Sequence, residues 1–512
     1  MSGSARRAVV LVGGPARPYS RALRIARTLA GEGYRVEIAA ISVSGAPEVE
    51  QEGPVTVRRY VPSGLFARFA SHHVALDAGP DVRRGDMPPS APVTLARPRP
   101  ARNVGSLRAR AGRIVRYLRK RRRWLLWPET TRGWWATLDR ELAPADLYHA
   151  CGSLSVAAAL AAARKDRRSG RRSVVIFDAV DNTFEGNSMV AIPRVLRRIH
   201  LARERRWARA ADARTTVNEV LGARLAARWG VEPLVVIPNW PEPPAPGVEA
   251  GSDRIREALG LPPEMRIVLF QGRLSPNLGL DEAAEAVLLV DRACLVLLGF
   301  GVWLERCRAR DRDPRFAGRH FTLPAVHPDE LPWWTASADV SLLTLPPVSL
   351  NQRESTPNKF WESLLVGTPV VVGPGLDVMA RIVEEAGAGV VAPSLEPDAL
   401  AEAVRSVLDA DPLERVARRR RVAAIAAERY TWPSAAGRYL ELVRRIAGPA
   451  RCPARAVAGA AEGSACPSGV HDRMRDMHHA LPLPRLAGGP VPVRAPGVME
   501  LAARRRPASA GR

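Results

Sequence analysis

Residues 354–372 read Glu354-Ser-Thr-Pro357-Asn358-Lys359-Phe-Trp-Glu362-Ser-Leu-Leu-Val-Gly367-Thr-Pro369-Val-Val-Val372. Proline pre-sets the helical φ and has no amide to lose, so Pro357 marks a helix start, and Asn358 is placed to cap it. A helix over Lys359–Val366 follows, and Gly367 and Pro369 end it. The uniformly apolar run Pro369–Val372 then reads as a strand covered on both faces, as in a parallel sheet. The first N–H groups of a helix lack intrahelical partners and attract anions, and Lys359 adds a charge there. Glu362 lies one turn after Asn358 and faces the same side, where a carboxylate suits paired ribose hydroxyls.

Working back from this stretch, Asp339–Thr344, Ala293–Leu298 and Arg266–Phe270 are further apolar strands, with a helix over Leu280–Val290. Gln271-Gly272-Arg273 ends one strand, and Arg273 can clamp a diphosphate with two N–H groups. Gly299-Phe300-Gly301 ends the next and lets the backbone approach a ligand. Farther back, Pro238–Pro246 is too proline-dense for helix or central strand and reads as a connector between domains. Before it the same alternation occurs. Ala8–Val12, the turn Gly13-Gly14, a helix over Tyr19–Ala30 and the strand Val36–Ile41 form one crossover unit. Later strands end at His149, Phe177, Val217 and Ile237. Two doubly wound α/β domains, 1–240 and 253–430, facing a cleft at the carboxyl ends of their strands are therefore expected. A helix over 431–447 follows. Patternless Pro, Arg, Gly and Ala at 79–105 and 448–512 predict a mobile loop and a disordered tail.

The formal charge of +24 is concentrated. Residues 58–123 carry 17 Lys+Arg against three Asp, more than half of the excess. Within that region, 108–127 is a basic stretch ending in Trp124-Leu-Leu-Trp127, suited to an anionic membrane surface or to an ordinary solvated helix. Its aromatics are grouped rather than interleaved with the arginines, so nucleic acid is not expected as a partner. Five scattered cysteines without CxxC spacing argue against structural zinc, and no 18-residue apolar run occurs. A cytoplasmic protein, peripheral at the inner face of the membrane if 108–127 binds lipid, is the expectation.

On these motifs the sequence resembles the retaining glycosyltransferases of family 4, which have the GT-B fold of two Rossmann-like domains. The resemblance rests on Gly272-Arg273-Leu274, on Gly299 and Gly301, and on Glu354 and Glu362 separated by seven residues. It also rests on Pro357-Asn358-Lys359 and on Gly367-x-Pro369, and it is looser in the first half. It implies that Gly272, Arg273, Gly299, Gly301, Pro357, Asn358, Lys359 and Glu362 bind a nucleotide-sugar donor. In it Arg273 and Lys359 hold the diphosphate, Glu362 the ribose, and Glu354 and His149 face the transferred sugar. Gly13 and Gly14 then line the acceptor side, and Asp178 can position an acceptor hydroxyl. The helix 431–447 is expected to pack back on the first domain.

The resemblance implies no metal and no cofactor beyond the donor, and Asp311-Arg312-Asp313 is read as a chance DxD in a polar loop. The acceptor stays open among lipid carriers, polysaccharides and metabolites. Two positions depart from the family: Leu278 where a lysine is usual, and Cys151 where a second histidine is usual. They leave room for a catalytically silent binding module, and a nucleotide-sugar epimerase of the same fold is a third reading.

Overall fold

The computed structural model describes residues 5–16, 20–63, 133–186, 192–248 and 252–448. The loop 79–105, the basic stretch 108–127 and the tail from 449 lie outside the described residues.

The first half is built on strands β1 (Arg7–Val12), β2 (Arg35–Ile41), β3 (Glu48–Glu52), β4 (Val55–Tyr60), β5 (Leu147–Cys151), β6 (Val174–Ala179), β7 (Ala213–Thr216) and β8 (Val235–Val236). They form one sheet in the order β3-β4-β2-β1-β5-β6-β7-β8. The central strands are apolar runs because helices cover both faces. Val9, Leu11, Tyr148 and Phe177 enter one core, while Val10, Val12, Leu147 and Ile176 enter the other. From β1 the chain moves outward through β2 and β4, then returns to the opposite side of β1 at β5. That reversal opens a crevice at the carboxyl ends of β1 and β5, where ligands of such sheets bind.

The hairpin β3–β4 has no counterpart in the sequence reading. Glu48-Val-Glu-Gln-Glu52 is too charged to read as a strand, yet it is an antiparallel edge. Arg59 of β4 holds Glu48 at 3.3 Å and Glu50 at 3.1 Å. Charge on an edge strand also discourages pairing with another chain.

The second half carries β9 (Arg266–Arg273), β10 (Ala293–Phe300), β11 (His320–Pro324), β12 (Val340–Leu343), β13 (Val370–Val372) and β14 (Gly389–Val391), all parallel, in the order β11-β10-β9-β12-β13-β14. Here the order reverses between β9 and β12, which sets Gln271–Arg273 at the mouth of a second crevice.

The helix Trp432–Ala447 packs on the first sheet. Its Trp432, Ala435, Tyr439, Leu442 and Val443 are buried with Ile25 and Leu29 of the helix Ser20–Gly31. Arg444 holds Glu32 through two hydrogen bonds of 2.7 Å. The proline connector is itself packed: Trp240 lies edge-on to Trp361 at 6.1 Å, and Arg438 lies over its ring. Among the described residues no helix is long and apolar enough to cross a membrane.

Candidate functional site

The end of β9 meets the start of the helix Asn358–Leu365. Gly272 has φ 102°, a left-handed backbone that places its α-carbon beside Lys359; a side chain there would begin 3.7 Å from Lys359 Cε. Lys359 Nζ sits 3.6 Å above the centre of the Phe270 ring, a cation–π arrangement. Burial pulls the Lys359 ammonium down to about 7, with Glu362 acting in the opposite direction. Glu362 accepts from Gln271 Nε2 at 2.7 Å, and Gln271 Oε1 accepts from Thr335 Oγ1 at 2.7 Å. This Thr335–Gln271–Glu362 chain fixes the carboxylate, and burial raises Glu362 above the usual range. Arg273 is exposed at the end of β9.

Asn358 does not cap the helix. Pro357 occupies the cap position with φ −66° and ψ 155°, and no side chain caps the first amides. The Asn358 amide instead joins the two halves, donating to Ser20 Oγ at 3.1 Å and accepting from Asn239 Nδ2. Gly299 and Gly301 also have a local explanation. A Cβ on Gly299 would strike the Gly272 carbonyl, and one on Gly301 the Leu274 carbonyl, so both glycines serve the close passage of β10 past β9.

A second group of contacts spans the halves at residues 351–354. Asn351 Oδ1 accepts from the Asn182 amide at 2.7 Å, and its Nδ2 donates to Asp181 Oδ1 at 3.3 Å. Glu354, 3% exposed, accepts from Arg224 Nε at 2.6 Å, and its backbone carbonyl accepts from Asn218 Nδ2 at 2.8 Å. The other carboxylate oxygen of Glu354, Oε2, is buried without a hydrogen-bond partner. Such an atom is costly and is suited to a ligand hydroxyl. Asp181 itself is exposed.

The structure corrects the placement of His149 and Asp178. Both are 0% exposed, on the faces of β5 and β6 that carry Leu147 and Ile176 into the interior, rather than on an open cleft wall. Asp178 is held by Arg21 at 2.7 and 2.8 Å and by Thr215 at 2.7 Å. His149 lies between Tyr439 Oη, 3.1 Å from Nδ1, and Asp178, 3.3 Å from Nε2. The Arg21 guanidinium keeps the Asp178 carboxyl far below the usual range despite complete burial. Among the described residues His149, Cys151 and Asp178 also form a cluster with metal-ligand spacing. Arg21 already occupies both oxygens of its only carboxylate, and its charge opposes a cation there. Asp311 of the DxD accepts from His320 at 2.6 Å and Thr322 at 3.0 Å. In the turn after β1, Gly13 is packed against Leu154, whereas Gly14 faces open space.

A structural role for His149 has a direct consequence. Tyr439→Phe leaves Nδ1 without its partner and is expected to lower stability by about 1–2 kcal/mol. Chemical denaturation checks this.

The model of the family "Glycosyl transferases group 1" matches residues 265–410. No curated protein matches the chain in sequence. Among solved structures, sucrose-phosphate synthase from Thermosynechococcus elongatus superposes with a TM-score of 0.59 at 17% identity, covering 86% of this chain and 99% of that one. Anabaena HepE, solved with UDP-glucose, gives 0.53 at 14%, covering 86% of this chain and 100% of its own. An α,α-trehalose-phosphate synthase (UDP-forming) from Burkholderia xenovorans, solved with glucose-6-phosphate, gives 0.55 at 13%, again covering 86% and 100%. The chain thus has the GT-B fold, and its residues 265–410 match the glycosyl transferases group 1.

Proposed function

We propose that the protein transfers a sugar from a nucleoside diphosphate donor to an acceptor hydroxyl, with retention of configuration. The observation that carries this reading is the meeting of Gly272, Lys359 and the Gln271-held Glu362 at one uncapped helix start, with Arg273 next to Gly272 at the end of β9. The leaving nucleoside diphosphate departs with negative charge. Arg273, Lys359 and the first amides of the helix Asn358–Leu365 supply preorganised donors for it, and preorganisation of this kind lowers the barrier. In this reading these cations neutralise the diphosphate without a metal. Glu362 accepts from the ribose hydroxyls, and the unpartnered Oε2 of Glu354 accepts from the transferred sugar. His149 acts at a distance, holding Asp178 and the helix Trp432–Ala447 in register. The acceptor enters past Gly14 and Asp181.

The test is a binding and hydrolysis screen with UDP-, GDP-, ADP- and TDP-sugars. UDP-glucose comes first, because HepE was solved with it. One donor should bind selectively, and Arg273→Ala and Glu362→Ala should each weaken it by about 10- to 100-fold. EDTA should leave donor hydrolysis unchanged. Binding of no donor would overturn the reading.

One observation favours a different outcome. Leu278, where the resemblance leads one to expect a lysine, packs against the second half's cores and offers no charge. A silent module would bind nucleotide yet never hydrolyse the donor, and an epimerase would turn the donor over with no acceptor present. The same screen separates both from a transferase.

A further inference from the structure

The helix Arg194–Ala210 has two sharply different faces. His200, Glu204 and Ala208 are buried, and Glu204, its one acidic residue, is held by Ser153 at 2.6 Å and Trp229 at 3.1 Å. The opposite face carries Arg194, Val195, Arg198, Ile199, Ala202, Arg205 and Arg206, all exposed. Spaced three, four and seven apart, these residues share one side of the helix. Val195 is 68% exposed and Ile199 42%, an adjacent aliphatic pair open to solvent. Among the described residues no acidic group pairs with Arg194, Arg198 or Arg206. A face of arginines around two aliphatics, with no counter-charge among the described residues, is suited to an anionic partner.

We propose that this face docks the protein on an anionic lipid bilayer. Val195 and Ile199 enter the headgroup–acyl boundary, while Arg194, Arg198 and Arg206 lie against lipid phosphates. Charge complementarity selects an anionic surface. The aliphatic pair selects lipid over nucleic acid, because a phosphodiester backbone gives Val195 and Ile199 nothing to bury against, and the face offers no aromatic ring for stacking.

The position of the helix adds a reason. His200 stacks on Phe184 at 5.3 Å, and Ile192, Leu196 and Leu201 complete that contact. Phe184 follows Asp181 and Asn182, which meet Asn351 of the second half. The helix's amino-terminal end, carrying Val195 and Ile199, therefore sits beside the acceptor-side rim of the cleft. A bilayer held there would present headgroup-borne hydroxyls to that rim. The docking itself does not depend on the transferase reading.

The experiment is co-sedimentation of the full chain with phosphatidylcholine vesicles and with vesicles containing about a third phosphatidylglycerol. The chain should bind the anionic vesicles and be released by salt. Each arginine near such a surface contributes on the order of fivefold in partition, so Arg194→Glu with Arg198→Glu should reduce binding by about 25-fold or more. Val195→Ser with Ile199→Ser should weaken the binding that remains at high salt. Both pairs are surface changes, and thermal unfolding of the variants should match the parent, which verifies their folding. Vesicle binding unchanged in both pairs would overturn the proposal and place any affinity elsewhere in the chain. No vesicle binding would overturn it equally. So would binding to a fluorescein-labelled oligouridylate that is lost in the arginine pair while vesicle binding persists.

Discussion

Glu354→Gln is expected to lower donor turnover, read as hydrolysis or transfer, by about 10²–10³-fold while leaving the donor Kd within a few-fold. The expectation rests on how this carboxylate is held. Asn218 fixes the backbone carbonyl, and Arg224 fixes one side-chain oxygen from across the cleft. The second oxygen is buried and unpartnered. Glutamine preserves shape and one acceptor but removes the negative charge. As the donor bond breaks, positive charge develops on the sugar ring, so that loss falls mainly on the transition state. A binding residue would show the opposite split, with affinity lost and turnover at saturation retained. Turnover within threefold of the parent would remove Glu354 from the chemistry. Arg224→Ala provides a control: it releases the Glu354 carboxylate from its guanidinium without touching its charge, while Asn218 still holds the backbone carbonyl, so it should cost less than Glu354→Gln.

The strands that position this site were legible in the sequence, and the partners of its side chains were not. β1, β5, β6, β9, β10 and β13 are apolar runs in a charged chain, a pattern produced by burial on both faces. β3 is glutamate-rich, so it does not carry that pattern. The Pro357-Asn358-Lys359 helix start was readable, because proline's geometry is local. The use of Asn358 as a bridge to Ser20 and Asn239 was not, because those partners lie 338 and 119 residues away. The same holds for Asn351 and for the Arg224–Glu354 pair, whose members lie in different halves.

His149 illustrates a finer limit. It and Cys151 share one face of β5, since side chains alternate along a strand, and only depth separates them. Cys151, at the strand's end, is 6% exposed, whereas His149 is sealed. A motif fixes which face a residue occupies. The helix Trp432–Ala447, packing from the far end of the chain, decides how deeply that face is covered.

Lys359 carries the second large expectation. Lys359→Ala should weaken nucleoside diphosphate binding by about 100-fold at about pH 6.5, the scale of a lost charge-assisted hydrogen bond. The pH dependence distinguishes this role from simple packing. Burial over Phe270 holds the ammonium near 7 in the empty protein. Below that value Lys359 is charged before the ligand arrives, and affinity is at its full value. Above it the free protein holds neutral lysine, which must take up a proton to pair with the diphosphate. Affinity should therefore fall by up to about tenfold per pH unit between about pH 7 and pH 9. Proton uptake on binding should appear as a buffer-dependent enthalpy in calorimetry. Lys359→Arg should flatten the profile, since a guanidinium stays charged throughout. Glu362 favours the charged lysine, so Glu362→Gln should move the midpoint to lower pH. A parent profile that is flat from about pH 6.5 to pH 9, with Lys359→Ala still weak, would leave Lys359 as a contact that is charged throughout. A flat profile with Lys359→Ala binding like the parent would remove it from the donor site.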